Sequence, residues 1–106
     1  MARQGFERRR SARTPLAVEC RLERRHGSPI ACRTVELGTG GMSVRTPRPL
    51  APDEVLAFEL PVAGDAALSG RARVLRQQAH EVYALRFEQI GEPVRDALRR
   101  LAAAAG

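Results

Sequence analysis

Apolar and polar residues alternate along most of the chain, which is the pattern of half-buried β-strands. In the first such run, Leu16, Val18, Cys20 and Leu22 share one face, and mostly polar residues occupy the other. Similar alternation recurs in later segments bounded by glycine or proline, with turns predicted at 26–29 and 64–65. The first predicted strand begins at Leu16, and the other five cover residues 30–37, 42–46, 55–60, 67–78 and 81–88.

The period of the pattern changes near the C-terminus. From Glu92 to Ala105, apolar residues recur at spacings of three and four, as on one face of an amphipathic helix. Pro93 suits the first turn of this helix and Gly106 its end. Six short antiparallel strands followed by one helix predict a mainly β fold, a small barrel whose edge or open end the helix covers.

The first two strands are expected to form a hairpin centred near His26. This register places both cysteines of the chain on the inner face, so we interpret them as reduced core residues. The predicted cross-strand pairs are Cys20 with Cys32, Val18 with Thr34, and Leu22 with Ile30.

Length and composition favour one domain. The chain has 106 residues, of which 43% are hydrophobic, enough for one modest core. All 18 basic residues are arginine, and residues 1–50 carry the positive excess. We expect residues 1–13, polar and basic, to form a flexible N-terminal arm and residues 14–106 to form one barrel with its helix.

Several function classes are not favoured. No apolar run approaches the ~20 residues of a membrane span, and the N-terminus does not resemble a signal peptide, so a cytoplasmic protein is expected. His26 and His80 have no metal-ligating residue at the usual spacing, so no metal site or metal cofactor is predicted. No serine lies in a nucleophile motif and no carboxylate pair is set in an apolar pocket, so an enzyme is not expected.

Two segments carry the chemistry of an anion-binding site. The arm contains Arg8, Arg9, Arg10 and Arg13, whose planar guanidinium groups match phosphate oxygens. The segment 36–41 is a glycine-rich turn that brings ligand and backbone close together, because its glycines tolerate positive φ. Alone, the first segment is compatible with a solvated basic tail and the second with an ordinary hairpin bend. Together they suggest a receptor for a small, doubly anionic nucleotide.

These residues resemble the PilZ family, whose members bind cyclic di-GMP through an N-terminal R-x-x-x-R motif and a following [D/N]-x-S-x-x-G motif on a six-stranded barrel. Residues 9–13 match the first motif, with Arg8 adding the doubled arginine often seen there, and residues 36–41 align with the second. The resemblance covers nearly the whole chain and implies a bacterial, PilZ-like split barrel with a C-terminal helix. It implies no cofactor, and cyclic di-GMP as the ligand, bound by Arg8, Arg9, Arg13, Glu36, Gly38 and Gly41.

The second motif departs from the family pattern at two positions. Glu36 stands where the family has Asp or Asn, and Gly38 stands where it has Ser. The leading hypothesis is therefore a cyclic di-GMP receptor that orders its arginine arm on binding and signals to an unidentified downstream protein. The alternatives are a degenerate PilZ domain acting only as a protein–protein adaptor, and a basic small barrel that binds nucleic acid nonspecifically. The last is disfavoured because three of the four aromatic residues, Phe58, Tyr83 and Phe87, look buried.

Overall fold

The computed structural model describes residues 14–61 and 67–105. The predicted arm and the turn predicted at 64–65 lie outside these residues, as does Gly106. In chain order the elements are β1 (Thr14–Pro15), β2 (Glu19–Glu23), β3 (Ile30–Leu37), β4 (Gly41–Arg45), β5 (Val55–Leu60), β6 (Leu68–Ala79), β7 (Val82–Gln89) and α1 (Glu92–Ala105).

Six of the strands close into an antiparallel barrel. Their order is β3-β2-β5-β6-β7-β4, and the pairing of β4 with β3 completes the circle. The short β1 is an extra strand that pairs with the end of β3 beside β2. The six-stranded barrel and the C-terminal helix are confirmed, and the helix has the predicted bounds.

The hairpin between β2 and β3 has the predicted register. Cys20 pairs with Cys32, and Leu22 pairs with Ile30. The thiols are free and buried, as predicted. A hydrogen bond with Cys32, together with burial, raises the pKa of the Cys20 thiol, so Cys20 stays protonated and inert at neutral pH.

The first strand does not begin at Leu16 as predicted. β1 ends at Pro15 and β2 begins at Glu19, because the side chain of Thr34 inserts between them. Its Oγ1 accepts a hydrogen bond from the backbone N–H of Val18 at 2.9 Å and donates one to the carbonyl of Leu16. A hydroxyl thereby replaces part of the backbone ladder, although Thr34 N–H still donates to the Val18 carbonyl at 2.9 Å.

The core occupies the barrel interior and extends to the helix. Phe58 and Phe87 pack with their ring centroids 5.0 Å apart, and Tyr83 is buried, so these aromatic rings serve the core as expected. Leu98 of α1 is fully buried against the same core. The apolar positions predicted for the inner face therefore meet in one cluster, which includes Leu22, Leu37, Met42, Val44, Leu56, Leu60, Val74 and Leu85.

Candidate functional site

The glycine-rich segment forms the connection between β3 and β4. Glu36 lies near the end of β3, and the N–H of Gly38 donates to the carbonyl of Gly41 at 3.0 Å, which closes the turn. The carbonyl of Gly40 accepts a hydrogen bond from the N–H of Phe87 at 3.0 Å, so the turn is also tied to β7. Gly38 and Gly41 are buried, whereas Glu36 is partly exposed. The turn is therefore a fixed part of the barrel.

The glycines of this turn tolerate positive φ, but the turn does not use it. In the part of the chain that the structure describes, left-handed φ values occur at Gly27 (111°), Asp53 (69°) and Glu81 (62°), and not in the glycine turn. A Cβ added at Gly40 would have no atom within 4 Å. The absence of a side chain at Gly40 therefore leaves open space beside the turn, and the backbone conformation does not require glycine there.

β1 brings the chain that follows the arm to the glycine turn. Thr14 pairs with Leu37, and Pro15 pairs with Glu36. Thr14 thus lies beside the residue that immediately precedes Gly38. The arginines predicted to bind the ligand, Arg8, Arg9 and Arg13, lie outside the described residues, so the structure brings together only Glu36, Gly38 and Gly41 of the predicted site.

A strip of small residues continues from the turn across the outer surface of the barrel. Ser43 of β4 pairs with Glu36 on one side and with Ala84 of β7 on the other. Both Ser43 and Ala84 alternate with core residues and so point away from the core, yet they are only 1% and 2% exposed. The Ser43 hydroxyl donates to Oε1 of Gln78 at 2.9 Å, which places a β6 side chain at this strip.

Three arginines border the same surface. Arg86 pairs with Gly41, Arg73 pairs with Arg86, and Arg76 pairs with Ala84. Arg73 and Arg86 alternate with core residues and so face outward, and Arg76 is itself exposed. Only the strand order places all three beside the glycine turn, because β6 and β7 are distant from β4 in sequence. The sequence pattern does not predict them as site residues.

The arginines differ in how far a carboxylate neutralises them. Arg73 donates two hydrogen bonds from its guanidinium group to the carboxylate of Glu88, from Nε at 2.6 Å and from Nη2 at 3.2 Å, and this pairing lowers the pKa of Glu88. Arg86 reaches the same carboxylate only at 3.5 Å. Within residues 14–61 and 67–105, no carboxylate lies within ion-pair distance of Arg76. The surface beside the turn therefore has cationic groups that are weakly neutralised.

A family model for the PilZ domain matches residues 7–104. This chain belongs to the PilZ family. The match includes β3 and β4, which the glycine turn connects, and residues 7–13 of the predicted arm. No curated protein matches the chain.

Solved PilZ structures share the fold at low sequence identity. The PilZ domain of YcgR from Escherichia coli, described with c-di-GMP, is 21% identical with a TM-score of 0.71, and the match covers 92% of this chain and 91% of that one. The PilZ domain of CeSA from a cellulose-synthesizing bacterium is 20% identical with a TM-score of 0.69, and the match covers 89% and 97%.

A third neighbour is longer than this chain. The inhibitor of motility MotI/DgrA from Bacillus subtilis is 18% identical with a TM-score of 0.73. The match covers 92% of this PilZ chain but only 50% of MotI/DgrA. This chain therefore spans about half the length of that neighbour.

The described residues show neither a metal site nor a helix that could span a membrane. They contain no group of three or more histidine, cysteine, aspartate or glutamate side chains able to hold a metal ion. No helix among them is long and apolar enough to cross a membrane. The glycine turn, with Arg73, Arg76 and Arg86 around it, is the candidate ligand site of this PilZ domain.

Proposed function

We propose that this PilZ domain is a cyclic di-GMP receptor and adaptor in which the ligand fixes the N-terminal arginine arm against the glycine turn. The PilZ family is a c-di-GMP receptor family, and the neighbours include structures with that ligand. In this proposal the protein binds its ligand without catalysing a reaction, and it acts in the cytoplasm on a downstream protein.

The pairing of Thr14 with Leu37 is the observation that carries the proposal. Paired strand residues have Cα atoms about 5 Å apart, and consecutive Cα atoms are about 3.8 Å apart. The Cα of Arg13 is therefore within about 9 Å of that of Leu37. Arg9, four residues earlier, is at most about 14 Å further along the chain. Chain connectivity alone thus gives both arginines access to a ligand at the turn.

Each part of the site has a role that suits its chemistry. Arg9 and Arg13 bind the two phosphates through paired N–H donors, with Arg8 adding positive potential. Glu36 accepts hydrogen bonds from the donor edge of a guanine base. Gly38 and Gly41 allow the ligand to approach the backbone, and Arg86 supplies a further cation beside Gly41.

The departures at Glu36 and Gly38 predict a weaker site than the family pattern would give. The additional methylene of Glu36 moves its carboxylate by roughly 1.5 Å, and Gly38 lacks the hydroxyl of a serine. Each lost or displaced hydrogen bond costs about 1–3 kcal/mol, or about 2–6 kcal/mol for the two together, so the combined loss in affinity is roughly 30-fold to 20,000-fold. The presence of Glu36 and Gly38 at these positions also favours the second candidate function, an adaptor that binds no cyclic di-GMP.

Isothermal titration of the whole chain with cyclic di-GMP tests the proposal. We expect saturable binding that Arg13→Ala abolishes and that Arg71→Ala preserves. Arg71 is a matched control because it is an exposed strand arginine on β6, paired with Ala57 and Gln89 away from the turn.

A restored motif sharpens this test. The double variant Glu36→Asp, Gly38→Ser should bind about tenfold or more tightly than the wild type, with circular dichroism confirming an unchanged fold. Absence of heat for both proteins at several hundred micromolar ligand would support the adaptor instead. Undiminished binding by Arg13→Ala would show that the arm does not form the site.

A further inference from the structure

Two arginines face each other across neighbouring strands on the outer surface of the barrel. Arg33 of β3 pairs directly with Arg45 of β4. Like charges at directly opposite positions destabilise a sheet. The pair therefore opposes the stability of the free domain, which is typical of residues retained for a function.

The nearby carboxylates compensate for this pair only weakly. Nη1 of Arg33 lies 3.7 Å from Oε2 of Glu19, and the two side chains are 57% and 81% exposed. An ion pair so exposed to solvent contributes little. For Arg45, the described part of the chain offers no carboxylate within ion-pair distance. An unneutralised positive potential therefore remains at this point of the surface.

An apolar groove adjoins the two guanidinium groups. Its volume is about 480 Å³, and the two arginines and Thr34 line it together with Pro15, Leu16, Ala17 and Val35. Val35 lies where the register of β3 against β4 shifts, between Thr34 and Glu36. This bulge leaves both Val35 and Glu36 partly exposed on a strand that otherwise alternates. The bulge thus places an aliphatic side chain at the surface beside the arginine pair.

We propose that this Arg33–Arg45 groove is a docking surface for an extended segment of a partner protein that carries both carboxylates and aliphatic side chains. The carboxylates would lie between Arg33 and Arg45 and remove their mutual repulsion, since guanidinium groups bind carboxylates in paired geometry. The aliphatic side chains would cover the apolar lining. Among the described residues, no aromatic side chain lines the groove, which disfavours a single-stranded nucleic acid as the occupant.

This inference goes beyond the proposed function, because the docking needs neither the arm nor cyclic di-GMP. Pro15 of β1 lines the groove and also pairs with Glu36. The groove therefore lies close to the proposed ligand site, but none of the residues that line it is a proposed ligand-binding residue. Loss of ligand binding and loss of docking are therefore separable by mutation.

A peptide array tests the proposal with the whole chain and no cyclic dinucleotide. The probe is a set of decapeptides in which aspartate or glutamate alternates with leucine, isoleucine or valine, and the reference set has lysine at the acidic positions. We expect preferential binding to the acidic set. The best peptide, labelled with fluorescein, then serves in polarisation titrations, and amide chemical shifts locate it on the protein.

Charge reversal supplies the matched variants. Arg33→Glu and Arg45→Glu should each weaken binding of the labelled peptide about tenfold or more, whereas Arg71→Glu should not. Because Arg45→Glu creates an opposite-charge pair with Arg33, it should not melt at a lower temperature than the wild type, whereas Arg33→Glu also sets a like charge opposite Glu19 of β2. Equal binding to the two arrays, equal loss with Arg71→Glu, or displacement of the peptide by polynucleotide would each overturn the proposal.

Discussion

Among the glycines for which the structure gives neighbours, Gly70 has the least space for a side chain. Its replacement is therefore a direct test of the packing between strands of the barrel. A Cβ added there would lie 2.6 Å from Cγ2 of Ile90, 2.7 Å from the carbonyl oxygen of Gln89 and 3.0 Å from Cε2 of Phe58. The Ile90 methyl group is able to rotate away. The backbone carbonyl and the buried Phe58 ring, which packs on Phe87, are not.

The substitution Gly70→Ala should therefore force β6 and the end of β7 apart. Overpacking of this kind costs typically about 1–3 kcal/mol. Replacing glycine also reduces the entropy of the unfolded chain, which returns about 0.4–1 kcal/mol. We expect a net loss of about 1–2 kcal/mol in the free energy of unfolding and a fall in Tm of roughly 5–15 °C.

Urea unfolding followed by circular dichroism measures this loss. Gly40→Ala is the matched control, because a Cβ there meets nothing within 4 Å and the backbone is outside the left-handed region. The control should stay within about 0.5 kcal/mol of the wild type. If Gly70→Ala proves as stable as Gly40→Ala, the close approach between β6 and β7 does not exist in solution.

Three further measurements test other contacts. Arg24 donates hydrogen bonds of 2.6 and 3.2 Å to Glu54 and lowers the pKa of that carboxyl. The stability that this ion pair provides is fully present above the ordinary glutamate pKa, and it is lost as the pH falls through the lowered pKa of Glu54 in the folded protein. Glu54→Gln should thus cost roughly 1–2 kcal/mol at pH 7 and flatten the decline in unfolding free energy below about pH 4, whereas parallel pH profiles would contradict this. Thr34→Val leaves the Val18 N–H without its hydroxyl acceptor and should cost about 1–3 kcal/mol in the same urea assay, so an unchanged midpoint would be contrary evidence. Native Cys20, buried and with a raised pKa, should react with a thiol reagent far more slowly than in urea, and equal rates would show that the core is open.

Local patterns were sufficient to predict most of the barrel. Strict alternation identified the strands, and the glycine and proline positions between them identified the turns. The register of the first hairpin followed from placing one turn correctly, which is why the pairing of Cys20 with Cys32 is confirmed. Patterns of this kind succeed because one buried face fixes the parity of every strand in a barrel.

The irregular positions could not be predicted in the same way. The break between β1 and β2 depends on the hydroxyl of Thr34, which is 16 residues from Val18. The bulge at Val35 depends on how β3 meets β4. Both irregularities arise only from contacts with a neighbouring strand, so the sequence of one strand alone does not predict them.

The electrostatics of the candidate site show the same dependence on long-range pairing. Arg86 and Glu88 lie two residues apart in the sequence, on one face of β7. In the barrel, Arg73 of β6 holds Glu88 at 2.6 Å, while Arg86 is left at 3.5 Å from the same carboxylate. Because Arg86 also pairs with Gly41, an anion arriving at the glycine turn meets a cation whose nearby carboxylate is already engaged by another arginine.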